Sequence, residues 1–141
     1  MIWKNQLSLD TINGFAKNTA TESLGIVFDE IGADYLVARM PVDSRTVQPF
    51  RVLHGGASVL MAETLGSIAS TLCIDLSKYQ PAGVEINANH LSAAHEGTVV
   101  IGTVRPIRVG RTIHVWGIEI KDEKDKLVCV SRITVAVIQR N

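Results

Sequence analysis

Cysteine is scarce. Cys73 and Cys129 are the two in 141 residues, too few and too far apart for a disulfide framework or a zinc site. No sign of charge dominates either. Fourteen basic residues cancel fourteen acidic ones. The absence of a basic stripe argues against a nucleic-acid partner. The four histidines, His54, His90, His95 and His114, lack metal-ligand spacing, so no metal is expected. There is no G-x-S-x-G nucleophile elbow, no P-loop and no G-x-G-x-x-G dinucleotide turn. No repeat, linker or low-complexity segment interrupts the chain. The start, MIWKNQLSLD, lacks the long apolar core of a signal peptide, and a cytoplasmic protein is expected.

What is present suits one domain over residues 1–141. Apolar residues make up 46% and charged ones 20%. That is enough to build a core and somewhat apolar for a small monomer, so surface buried against other subunits is expected. Leu9, Ile12, Phe15 and Ala16 fall at helical spacing behind Ser8, a suitable N-cap, and predict a short surface helix. LGIVFDEI and YLVARMPV read as strands joined by the turn GAD. In the second, Leu36, Ala38 and Met40 alternate with Tyr35, Val37 and Arg39.

A long helix is predicted over roughly 55–75. It is apolar almost all round, so it should be surrounded by other elements. It has the length of a membrane span, but Glu63 stands at its centre, and a buried helix of a soluble protein is the reading. The rest is strand-like: PAGVEINANHLS, TVVIGTVRPIRVG, RTIHVWGIEIKDE and KLVCVSRITVAVIQ. Short turns at AAHEG, VGR and EKDK make antiparallel neighbours of them. His95 falls in the first of these turns and His114 in a strand. Their alternation is blurred, with apolar residues on both faces. One face can cover the helix, and the other would need a second layer, most simply another subunit. The expected architecture is α+β, one long central helix wrapped by a curved antiparallel sheet of about six strands.

Glu63 is the one carboxylate between Gly55 and Ile74. It reads either as a structural glutamate reaching solvent or pairing with an Arg, or as a reactive group whose burial cost is tolerated for chemistry. Ser67, four residues on, can project into the same pocket. His54-Gly55-Gly56 opens the helix. It reads as an ordinary Gly-rich helix start, or as one whose free N–H groups and dipole hold a developing oxyanion. Gly55 and Glu63 are eight residues apart, which separates them by ~12 Å along the axis at about 1.5 Å per residue. Both must lie within about 3 Å of one reacting group if they act together. One copy of the helix cannot supply both, so two helices would have to meet across a subunit interface.

The block QPFRVLHGGASVLMAETLGS, together with MIWK, NANH, GR and the last strand, resembles the hotdog-fold acyl-CoA thioesterases. The resemblance runs along nearly the whole chain and points to the branch that acts on aromatic acyl thioesters. Members of that branch hydrolyse 1,4-dihydroxy-2-naphthoyl-CoA in menaquinone synthesis or proofread carrier-protein thioesters in enterobactin synthesis. The resemblance implies hydrolysis without a cofactor, CoA being part of the substrate. It implies that Glu63 is nucleophile or general base and that the Gly55 N–H polarises the carbonyl. His54 and Gln48 would line the site, and Ser67 would place the water or the acyl end. The CoA nucleotide would lie along Gly83, along His90, Leu91 and Ser92, and along Arg108, Val109, Gly110, Arg111, Thr112 and Ile113. It also implies a homotetramer, a dimer of dimers with sites between subunits.

The family pattern N-x-x-H-x-R-P is NANHLSAA here, with Ser92 in place of Arg and Ala93 in place of Pro. That cation is missing, which keeps an acyl-carrier-protein thioester open as the substrate. Two other readings remain at this level. A dehydratase would need a His paired with the acid on the helix, and Glu63 has none beside it in sequence. A non-catalytic acyl-CoA-binding module would be separated from an enzyme by a hydrolysis assay.

Overall fold

The long apolar segment forms a helix, Gly55–Cys73, and everything else is arranged around it. The structure, a computed structural model, describes residues 1–141. In chain order the elements are α1 (Leu9–Gly14), α2 (Ala20–Ser23), β1 (Val27–Ile31), β2 (Leu36–Pro41), α3 (Gly55–Cys73), β3 (Tyr79–His90), β4 (Val99–Val109), β5 (Ile113–Lys121) and β6 (Leu127–Gln139). The strands form one six-stranded sheet in the order β1-β2-β4-β5-β6-β3. Every pairing is antiparallel. The chain therefore leaves the sheet after β2, crosses it as α3, and re-enters at the far edge as β3.

Local chemistry sets the ends of these elements. Ser8 caps α1 by accepting from the Thr11 N–H at 3.1 Å. The last carbonyls of α3 are received by the N-terminal segment. Lys4 and Asn5 donate their N–H groups to the Leu72 carbonyl, and the Asn5 amide bonds the carbonyls of Thr71 and Ile74. Trp3 lies in the core beside Trp116, ring centroids 6.2 Å apart. Bulges in β1, β3 and β4 bend the sheet.

The helix lies close to the sheet on one side. Ala57, Met61, Ala62, Leu65, Ala69 and Leu72 face inward at helical spacing and meet Leu36, Met40, Val104, Trp116, Ile118, Ile120 and Ile133 in one core cluster. Glycine permits the approach. A Cβ on Gly66 would collide with Ile133, and one on Gly102 would come within 2.8 Å of Leu65 Cδ1. Alternation in burial is regular where the sequence looks blurred. His114, Trp116, Ile118 and Ile120 are buried and Val115, Gly117 and Glu119 are not. The apparent blur comes from aliphatic residues such as Ile101, Val115 and Val130 on the outer face, set among Arg105, Glu119 and Arg132.

Three features differ from the reading of the sequence. The turn AAHEG does not join neighbours: β3 pairs with β6 alone, and β4 lies between β2 and β5, because the chain passes from one edge of the sheet to its interior between them. The short helix α2 falls before β1, in a segment with no strong apolar period. And α3 is not enclosed all round. Val59, Leu60, Glu63, Thr64, Ser67, Ile68 and Thr71 are only half-buried, because a single sheet covers a single side. Half of the helix is nonetheless buried within the chain, and it is the core helix.

The core carries one polar knot. Trp116 Nε1–H donates to Ser70 Oγ at 2.8 Å, and Ser70 Oγ lies 2.9 Å from His114 Nδ1. The Ser70 hydroxyl thus bridges the indole and the imidazole. Burial pushes the His114 pKa below its usual 6.5, and a hydrogen bond to the Gly110 backbone partly offsets this. The ring is therefore held neutral. Two consequences are expected. Ser70→Ala strands two buried groups, at about 1–3 kcal/mol each, and should lower the unfolding free energy in urea by roughly 2 kcal/mol or more. The folded pKa of His114 is depressed, so the stability it provides is complete above about 6.5 and is lost as pH falls through the folded value. Melting temperature should drop on acidification below that pH, and more gently in a His114→Phe variant.

Candidate functional site

The open stripe of α3 carries Glu63 and Ser67, with His54 and Gly55 at its start. At its start, His54 is extended and its Nδ1 accepts from the Gly56 N–H at 2.8 Å. Nδ1 must therefore carry a lone pair, and the ring proton sits on Nε2. The N–H groups of Ala57 and Ser58 both reach the His54 carbonyl, at 3.0 and 3.3 Å. Gly55 is the one residue of this first turn whose N–H finds no acceptor in the chain. The positive end of the helix thus presents a single free donor.

Glu63 lies two turns on, half-buried. Its carboxylate rests against edge strand β3 where that strand has no side chain. A Cβ built on Gly83 would collide with Glu63 Oε1 and lie 3.5 Å from Cδ. The β3 bulge falls here, between Gly83 and Glu85. Ser67 follows one turn later on the same stripe, also half-buried. The helix rise keeps Gly55 and Glu63 ~12 Å apart.

Gln48 opens a tight turn before α3. Its N–H donates to the Val52 carbonyl, its own carbonyl accepts from Arg51, and its side-chain oxygen accepts from the Phe50 N–H. Arg51 sits in the left-handed region, φ 64°. It is held there by Glu96, whose carboxylate meets the guanidinium at Nε (2.8 Å) and at a second nitrogen. That pairing holds the Glu96 carboxyl below the usual carboxylate range. Phe50 stands at the apex, 86% exposed.

The residues expected along a nucleotide fall into two groups. His90 pairs with Cys129, which pairs with Ile120. Ile113 pairs with Ala136, which pairs with Ala82 beside Gly83. The rows are seven steps apart along β5, from Ile113 to Ile120, or ~23 Å at about 3.3 Å per residue. Gly83 thus belongs with the turn from Arg108 to Ile113, and His90, Leu91 and Ser92 lie at the other end of the sheet. Val109 to Thr112 line a cavity of about 410 Å³ with Lys4, Asp75, Tyr79 and His114. Ser92 does not face outward: its Oγ–H donates to the Leu127 carbonyl at 2.7 Å. A surface cavity of about 540 Å³ lies on the outer face of the sheet with Arg105 and Arg132 and contains none of the expected site residues. Cys73 offers no nucleophile, since burial pushes its thiol up to about 11.

Residues 50–129, more than half of the chain, match the family described as "Thioesterase superfamily". The chain belongs to this family. It is a thioesterase with the hotdog fold. A mutant of thioesterase PA1618 from Pseudomonas aeruginosa superposes with a TM-score of 0.96 at 45% identity, covering 99% of this chain and 100% of the other. The 1,4-dihydroxy-2-naphthoyl-CoA hydrolase of Escherichia coli (strain K12) is 48% identical over 98% of this chain and 100% of its own. The proofreading thioesterase EntH of Cronobacter sakazakii is 44% identical over 98% of this chain and 99% of its own.

The sequence placed Gly83 only with a nucleotide. Its closeness to Glu63 could not be seen, because the two are joined by a crossing of helix over strand. A mutation tests whether the carboxylate rests there during turnover. Gly83 has an ordinary backbone conformation and is exposed, so Gly83→Ala should fold and melt like the parent. Its methyl should displace Glu63 and lower kcat for thioester hydrolysis roughly 10- to 100-fold. An unchanged kcat would place the working carboxylate elsewhere.

Proposed function

We propose that this protein hydrolyses an aromatic acyl-CoA thioester, 1,4-dihydroxy-2-naphthoyl-CoA being the model substrate, to the free acid and CoA. One observation carries the reading. The one carboxylate on the open stripe of α3 and the one free N–H at its start lie too far apart for a single chain and suit two helices facing each other. The similarity to the naphthoyl-CoA hydrolase supports the substrate class. Apolar side chains exposed on β3 and beyond it, Val84 and Leu91, and the open edge of β3 itself support pairing with a second copy. A dimer of such dimers would make the tetramer.

In this reading Glu63 of one subunit takes a proton from water. The water oxygen bonds to the thioester carbon, and the carbonyl electrons move onto oxygen. Gly55 of the other subunit donates its N–H to that oxyanion. As the carbonyl re-forms, the C–S bond breaks and CoA leaves as a thiolate, a good leaving group that takes up a proton from solvent. Direct attack by the carboxylate, through a mixed anhydride that water then opens, uses the same two groups. His54, with its proton on Nε2, and Gln48 border the carbonyl, and Ser67 positions the water or the acyl end. The nucleotide would bridge subunits, since Gly83 with Arg108–Ile113 and His90–Ser92 lie at opposite ends of one chain. A carrier-protein thioester is the second reading. It is favoured by the absence of a cation at Ser92, whose hydroxyl is spent on Leu127, and by the similarity to EntH.

Glu63→Gln is nearly isosteric and can neither attack nor accept a proton. It should fold normally and lose turnover on the order of 10²–10⁴, measured as thiol release from an aryl-CoA. Turnover near that of the parent would reduce Glu63 to a structural residue. Chains carrying Glu63→Gln, refolded together with chains blocked at Gly55, should recover part of the activity. Verified mixed dimers with no recovery would mean a site built within one chain.

A further inference from the structure

His90 lies against the start of α3 within its own chain. A Cβ built on Gly55 would come within 2.8 Å of His90 Nε2, 3.0 Å of Cε1 and 3.3 Å of Cδ2. Three ring atoms at nearly equal distance put that point over the face of the imidazole. An in-plane approach along the Nε2 axis would leave both carbons much farther away than the nitrogen. Gly55 is not in the left-handed region, so its backbone would accept any residue. A side chain at this position would have to displace the ring. His90 is the last residue of β3, fixed by its pairing with Cys129. The next N–H, of Leu91, is tied to the Val128 carbonyl at 2.8 Å. The ring is thus carried on a rigid mount to the one residue of the first turn with a free N–H.

We propose that His90 is a positioning residue for hydrolysis. The flat face of its imidazole buttresses the first turn of α3 and aims the Gly55 N–H at the thioester carbonyl. The inference rests on the reading of Gly55 as oxyanion donor given above. It departs from a role for His90 in holding the nucleotide. A nucleotide contact acts on the affinity for CoA. A buttress beside the donor acts on the chemical step whatever the thiol carries.

The test compares an aryl-CoA with the matching aryl-pantetheine thioester, which has no nucleotide. His90 is exposed, so His90→Ala should leave the melting temperature unchanged. It should lower kcat roughly 10- to 100-fold for both substrates alike. His90→Phe keeps a flat ring without nitrogens and should restore most of kcat. Gly55→Ala retains the backbone N–H, so its damage should come through the ring. It should cost kcat heavily in the parent and little further in the His90→Ala background. An effect of His90→Ala confined to KM for the CoA substrate would overturn the proposal, as would no effect at all. It would fail equally if His90→Phe were as poor as His90→Ala, or if the two mutations were additive. Glu63→Gln separates the two readings. If that variant is inactive and His90→Ala changes only KM, the hydrolytic reading stands and this inference falls.

Discussion

The close approach of α3 to edge strand β3 is the constraint on which the site depends. A helix over a sheet is usually held off by side chains from both layers. Here glycine stands at two of the contacts. Gly83 on the strand admits the Glu63 carboxylate, and Gly55 on the helix admits the face of His90. Strand and helix thereby meet closely at two points. The same device sets the depth of the core, where Gly66 of α3 admits Ile133 of β6 and Gly102 of β4 admits Leu65 and Met61 of α3. Close packing makes positions of this kind sensitive to a single methyl group.

The edge location of β3 follows from topology. Sending α3 across the sheet before β3 puts that strand at the far end of the order β1-β2-β4-β5-β6-β3. It leaves one edge of a twelve-residue strand unpaired, next to a helix face that one chain does not close. The two unfinished surfaces are neighbours. A partner that covered one would reach the other. The division of labour between the two ends of α3 then has a physical origin. The dipole and the free N–H exist only at a helix start, whereas a carboxylate there would compete for that donor. Separating them by two turns keeps both free.

The buried trio of Ser70, Trp116 and His114 shows the other side of the fold's economy. Each polar atom has a partner, and no buried side-chain polar atom in the structure is left without one. This network lies beyond the apolar middle of α3, away from Gly55 and Glu63. It fixes the packing of β5 on the helix near the turn from Gly110 to Thr112.

Local pattern in the sequence is enough for the architecture. The apolar run from Gly55, the segment LGIVFDEI, the alternation of Leu36, Ala38 and Met40, and four Val- and Ile-rich segments lead to one long helix and six antiparallel strands, though not to the pairing of β3 with β6 in place of β4. Each rests on a period of 2 or 3.6 residues, which the chain carries without reference to anything distant. The lone acid, the Gly-Gly helix start and their separation along the axis are legible for the same reason. Contacts across elements are not. Glu63 against Gly83, His90 over Gly55, and Ser70 between His114 and Trp116 join residues 20 to 46 positions apart. They depend on how far α3 sinks toward the sheet, which the summed packing of the core decides. The open stripe of α3 belongs with them. Composition makes the helix apolar nearly all round, but only the assembled layers determine that one sheet covers one side and leaves the side bearing Glu63 uncovered.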